Sequence, residues 1–78
     1  MVTIRKGKHE DISDYLKVQL EAFPSENKAR HKKYFRQKVQ NNQILVIESS
    51  GKYLGHITYS KKISPPFVNS FYIEELVI

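Results

Sequence analysis

Two segments of this 78-residue chain are apolar on both parities of a strand, and that pattern restricts the possible folds more than any other feature. A sheet with one solvated face alternates apolar and polar residues. Ile44-Leu45-Val46-Ile47 does not alternate. In Phe71-Tyr72-Ile73-Glu74-Glu75-Leu76-Val77-Ile78, Phe71, Ile73 and Val77 take one parity while Tyr72, Leu76 and Ile78 take the other. Both faces of such strands need cover. The rest of the chain offers only two amphipathic helices, enough for one face. A second layer is expected to come from outside these residues, and the abrupt end of the last strand reads as an incomplete unit.

The elements follow from local signals. Val2 to Arg5 is a short strand ended by Lys6-Gly7. Asp11-Ile12-Ser13-Asp14 has the form of a helix N-cap with an acid three positions on. Ile12, Tyr15, Leu16, Leu20 and Phe23 then recur at helical spacing, and Pro24 ends the helix. Ser25-Glu26-Asn27 leads into a second helix from Lys28 to Gln40, capped by Ser25 or Asn27 and closed by Asn41-Asn42. Ala29 or Lys32, Phe35 and Val39 mark its narrow apolar stripe, too small for a helix that stands alone. Gln43 to Glu48 and Tyr53 to Lys61 are strands paired around the turn Ser49-Ser50-Gly51-Lys52. Ser64-Pro65-Pro66 breaks the chain before the last strand. The order β-α-α-β-β-β predicts an α+β fold, a single domain over residues 1–78 with a helical hairpin on one face of an antiparallel sheet.

Composition excludes several functions. There is no cysteine, hence no disulfide framework and no thiolate metal site. His9, His31 and His56 lack the close spacing of metal ligands, so no metal is expected. No apolar run approaches the roughly 20 residues of a membrane span, and Met1-Val2-Thr3-Ile4-Arg5-Lys6 has no signal-peptide core. The chain reads as soluble and cytoplasmic, without membrane contact. Its net charge of +5 is concentrated: Lys28, Arg30, Lys32, Lys33, Arg36 and Lys38 hold six of the 13 basic residues, with no acid between them.

The element order and several local motifs resemble the N-terminal half of a GNAT-superfamily N-acetyltransferase. Thr3-Ile4-Arg5 resembles that family's first strand, and Asp11-Ile12-x-x-Tyr15 with Ala22-Phe23-Pro24 its first helix. Ile44-Leu45-Val46-Ile47-Glu48 and Gly51-Lys52-Tyr53-Leu54-Gly55-His56-Ile57 resemble its paired strands, including a Gly-x-x-x-Gly hairpin. Tyr72 to Ile78 resembles its fourth strand. The resemblance covers the whole chain but half of a family domain. It implies acetyl transfer from acetyl-CoA to a primary amine, with backbone groups of Leu76, Val77 and Ile78 binding the pantetheine arm. The family's Gln/Arg-x-x-Gly-x-Gly/Ala loop, which holds the pyrophosphate at a helix N-terminus, is missing: Gly7, Gly51 and Gly55 are the only glycines. The chain is thus expected to bind acetyl-CoA weakly by itself and to be inactive unless a second chain completes it.

Glu74 and Glu75 are the candidate general bases on the last strand. Adjacent strand residues face opposite ways, which would leave at least one of them as solvated surface. His56 is either a proton-transfer group or a half-buried structural imidazole. The basic helix is either a solvated face or a surface for an acidic acceptor or partner. Phosphate-backbone binding is a third reading, but no nucleic-acid motif supports it. Tyr53, Tyr59, Phe67, Phe71 and Tyr72 read as core or interface aromatics rather than a stacking platform. The alternative to an enzyme is a non-enzymatic module that dimerises or binds a partner through its open sheet face and basic helix.

Overall fold

The computed structural model describes the backbone of residues 1–64 and 68–78 and the side chains of residues 1–60 and 73–78. Strand β1 (Val2–Lys6) leads through a 3-10 turn (His9–Asp11) into α1 (Ile12–Ala22), followed by α2 (Lys28–Gln40). Strands β2 (Ile44–Ser49), β3 (Lys52–Ser64) and β4 (Val68–Val77) complete the chain. The sheet order is β1-β2-β3-β4 and every pairing is antiparallel. The α+β architecture and the helical hairpin on one face agree with the sequence.

Boundaries differ in instructive ways. Ser64, expected in a chain break, is the last residue of β3, paired with Val68. β4 begins at Val68 rather than Phe71. Pro65, Pro66 and Phe67 lie outside the described residues, as do the side chains of Phe71 and Tyr72. The β2–β3 turn has Ser50 at φ 52° and Gly51 at φ 78°, the left-handed pair that a two-residue hairpin turn requires.

Asn27, not Ser25, caps α2: its Oδ1 accepts from the backbone N–H of Ala29 at 2.8 Å. Asp11 precedes α1 but makes no side-chain cap bond. Arg5 takes its carboxylate instead, in a two-pronged contact at 2.7 and 2.8 Å, and the Lys8 N–H donates to it at 2.8 Å. Arg5 Nε also donates to Glu48, so one guanidinium ties β1 to β2 and to the start of the helical layer. That guanidinium holds the Asp11 carboxyl below its ordinary range.

The core lies between the helices and one sheet face. Tyr15, Leu16, Phe35 and Ile44 form its centre, with the Tyr15 and Phe35 rings 4.7 Å apart. Helix α1 buries Tyr15, Leu16 and Gln19. Leu20 is only half-buried, and Phe23 is 38% exposed. Helix α2 buries His31, Phe35 and Lys38. Val39 packs partly buried against this core, as its spacing implied, but polar side chains take places that the sequence assigned to Leu20, Phe23 and Ala29 or Lys32.

Candidate functional site: a bulged strand edge under the helical hairpin

Two irregularities in strand pairing build the site. Between Thr58↔Glu75 and Tyr59↔Ile73, Glu74 has no counterpart on β3. Between Ile47↔Gly55 and Glu48↔Tyr53, Leu54 has none on β2. A bulge inserts one residue and reorients its neighbours. The first therefore brings Glu74 and Glu75 to the helix-covered side together. The second places Tyr53 beside His56, three positions away. The expectation that the two glutamates face opposite ways fails because the bulge cancels the alternation on which it rested, although Glu74 remains exposed as expected of one of them.

The two carboxylates are held differently. Glu74 is engaged at both oxygens: Lys38 Nζ donates to Oε1 at 2.7 Å and Tyr34 Oη to Oε2 at 2.9 Å. Lys38 also donates to the Tyr59 carbonyl at 3.1 Å and lies over the Tyr34 ring. The Lys38 ammonium keeps the Glu74 carboxyl below its ordinary range. Glu75 accepts one hydrogen bond, from Gln19 Nε2 to Oε2 at 2.8 Å. Its Oε1 is buried with no hydrogen-bond partner.

Behind Glu75 runs a directional chain of hydrogen bonds. Gln19 uses its amide N–H on Glu75, so its Oε1 must accept from His56 Nε2, 2.8 Å away. His56 Nδ1 then accepts from Tyr53 Oη at 2.7 Å. His56 is fully buried and packs at a tilt against Tyr15, with ring centroids 4.5 Å apart. Burial pushes its pKa down to about 4, so the imidazole is neutral at physiological pH. It orients Gln19 and, through it, Glu75.

An open groove of about 680 Å³ lies alongside, lined by Glu26, Arg30, His31, Lys33, Tyr34, Gln37, Glu74 and Glu75. Two of the six clustered cations, Arg30 and Lys33, face it. Lys38 is buried in its ion pair with Glu74 rather than presented to solvent. Of the residues matched to the pantetheine arm, Val77 is buried opposite His56, and Leu76 pairs with Ile57. Ile78 is 81% exposed. β4 is the last strand in the sheet order, so its outer edge is unpaired among the described residues.

Gln19 escaped the sequence reading as a site residue, and Tyr34 and Lys38 were read as part of the basic helix surface rather than as partners of Glu74. The signal was present: Gln19 follows Tyr15 by four residues, and Lys38 follows Phe35 by three, each on the buried stripe.

The opposite sheet face is different in kind. Leu45, Ile57, Tyr59 and Ile73 line an apolar depression there. Ile4, Ile73 and Leu76 are 60%, 59% and 58% exposed. Among the described residues no helix is long and apolar enough to cross a membrane.

This two-layer α+β arrangement recurs in solved structures. The chain superposes on a GNAT-family acetyltransferase from Bacillus cereus with a TM-score of 0.80 at 13% identity, over 100% of this chain and 50% of that one. A predicted acetyltransferase from Clostridium acetobutylicum, solved with acetyl-CoA, gives 0.65 at 21% identity over 97% and 58% of the two chains. An N-acetyltransferase from Staphylococcus aureus gives 0.61 at 22% identity over 95% and 54%. No protein-family model and no curated protein matches the sequence. The fold is that of a partial GNAT acetyltransferase domain, and the chain spans about half the length of the structures it matches.

Proposed function

We propose that this chain supplies the acceptor-binding half of an N-acetyltransferase that moves an acetyl group from acetyl-CoA to a primary amine. The β4 bulge carries this reading, because it sets a second carboxylate on the helix-covered side, where Glu75 lines the groove and its Oε1 is buried with no partner. The amine arrives as an ammonium and gives one proton to Glu75, directly or through a water. Its nitrogen then attacks the thioester carbon: the N–C bond forms, the C–S bond breaks, and a second amine proton goes to the departing sulfur. Glu75 suits the base role because one oxygen is fixed by Gln19 and the other is unpaired. Glu74, bonded at both oxygens and held ionised, anchors Tyr34 and Lys38.

The open outer edge of β4 at Leu76, Val77 and Ile78 suits the amides of a pantetheine arm, which would add to the sheet as a further strand. No Gly-rich phosphate loop lies within these 78 residues. Tight cofactor binding and turnover therefore require such a loop from polypeptide beyond them. The test is an NMR titration of the chain with acetyl-CoA. Weak binding with amide shifts concentrated at Leu76 to Ile78 is expected. No shift at millimolar cofactor, or shifts scattered away from β4, would refute the role. Tight binding by calorimetry would refute the need for a further loop.

A second reading draws on the open apolar face, where Ile73 and Leu76 are more than half exposed. Here the chain is a binding module whose uncovered face meets a second copy or a complementing chain. Sedimentation separates the two: a monomer at micromolar concentration that shifts with acetyl-CoA favours the enzyme.

A further inference from the structure

The charges in the groove are not paired evenly. Of its three acids, Glu74 is neutralised by Lys38 at 2.7 Å. Glu26 Oε2 lies 3.1 Å from His31 Nε2. That contact is close enough for an ion pair but too poorly aligned for a hydrogen bond, so His31 Nε2 remains unsatisfied although the residue is only 6% exposed. Glu75 Oε1 is the other buried groove atom with no partner. Buried polar atoms without partners are uncommon and costly. A ligand ammonium, with three N–H donors, can satisfy Glu75 Oε1.

The α2 wall supplies the opposite sign. Arg30, Lys33, Tyr34 and Gln37 recur at helical spacing and form one stripe along the groove. Arg30 and Lys33 are exposed, one turn apart, and have no carboxylate partner among the described residues. An anion between them gains a forked guanidinium contact and an ammonium contact. A diamine would instead set its second cation against both, a like-charge contact that selects against it.

We infer that this groove selects a primary amine bearing an anionic group a few atoms from its nitrogen, a carboxylate or a phosphate, over simple amines and diamines. This rests on the acceptor role proposed above. It adds what the acceptor must carry: nitrogen at Glu75, anion at Arg30 and Lys33.

The experiment is an NMR titration of the chain at low ionic strength, without acetyl-CoA, using γ-aminobutyrate, O-phosphoethanolamine, butylamine and putrescine. The two anionic amines should shift the amides of Arg30, Lys33 and Glu75 and bind about tenfold more tightly than butylamine, with putrescine weakest. The better of the two anionic amines identifies carboxylate or phosphate as the anion. In the double variant Arg30→Glu, Lys33→Glu the order should invert, with putrescine tightest; both positions are exposed, so the fold is kept. Glu75→Gln should weaken all four. Equal or tighter binding of butylamine or putrescine to the unaltered chain would overturn the inference. So would an unchanged order in the double variant, or no shifts with any amine at millimolar concentration. Ordered amine binding without acetyl-CoA shifts at Leu76 to Ile78 would remove the transferase reading and leave this one standing. The converse result would do the opposite.

Discussion

The two faces of the sheet differ in cover and in the polar groups that they hold. The face under the helices is dry yet rich in polar groups: Gln19, His56 and Thr58 are all fully buried there. The face without helices is apolar yet open, with Leu45, Ile57, Tyr59 and Ile73 around one depression. In a small sheet protein an apolar face is expected under cover, and here one apolar face has it, with a polar network added, while the other does not. The difference shows what each face is suited to. A covered polar network fixes groups in one geometry at low dielectric, as a reaction site needs. An apolar surface with no directional bonds suits packing against another layer.

The sharpest way to break the contrast is to remove apolar volume from the covered face. Phe35 is fully buried against Tyr15. Phe35→Ala should cost about 3–5 kcal/mol of unfolding free energy by urea titration. In so small a chain that would leave little folded protein. A loss below 1 kcal/mol would mean that this face is not the main source of stability.

Gly55 tests the join between β3 and the site strand. A Cβ there would fall 2.1 Å from the Val77 carbonyl oxygen and 2.8 Å from the Ile78 Cα, both backbone atoms that cannot simply rotate away. Gly55→Ala should cost about 3 kcal/mol and displace the end of β4. Faster hydrogen exchange at Leu76 and Val77 would localise the damage, whereas unchanged exchange there would disprove this reading of the glycine.

The polar network should also give the covered face a pH dependence that the open face lacks. Burial lowers the His56 pKa from 6.5 to about 4. As pH falls the unfolded chain takes up this proton first, so the contribution is fully present above about 6.5. It is lost progressively down to about 4, below which both states are protonated. The expected loss is about 2 kcal/mol between pH 7 and pH 5, and His56→Gln should flatten that interval. The depressed carboxyls of Asp11 and Glu74 act in more acid solution, since their contribution is present above the ordinary carboxyl pKa and lost as pH falls through the lowered one. The variant should therefore keep its acid slope. A wild-type curve flat from pH 7 to 5 would contradict a buried neutral His56.

Element order was legible because it rests on local signals: helical spacing through Tyr15 and Leu16, the Pro24 stop, and a Ser50-Gly51 turn able to take positive φ. The site was legible only in part. Glu74 and Glu75 could be singled out as the carboxylates on the last strand, but their shared face depends on a register shift opposite Thr58 and Tyr59. That shift is a property of two strands together. Gln19, and the inward role of Lys38, were missed for another reason. Polar residues on a buried stripe look like interruptions until their partners, His56 and Glu75 for one and Glu74 for the other, are brought in from 36 or more residues away. The apolar character of both faces was visible because Leu45, Ile47 and Leu76 break alternation in the sequence itself, but Ile73 was placed on the parity of Val77, and the same register shift moves it to the open face beside Leu76.

The smallest expected effect on stability probes that open face. Ile73 is 59% exposed and borders the apolar depression across from Tyr59. Ile73→Lys removes little buried area, and the long aliphatic stem of lysine can lie along the same surface. Unfolding free energy should change by less than about 0.5 kcal/mol, far below the loss at Phe35. If the face meets a second copy, the same substitution places a charge in each half of a symmetric contact, and the sedimentation coefficient should fall to that of a monomer. A stability loss comparable to that of Phe35→Ala would show that Ile73 belongs to the chain's own core. The difference between the faces would then be one of degree.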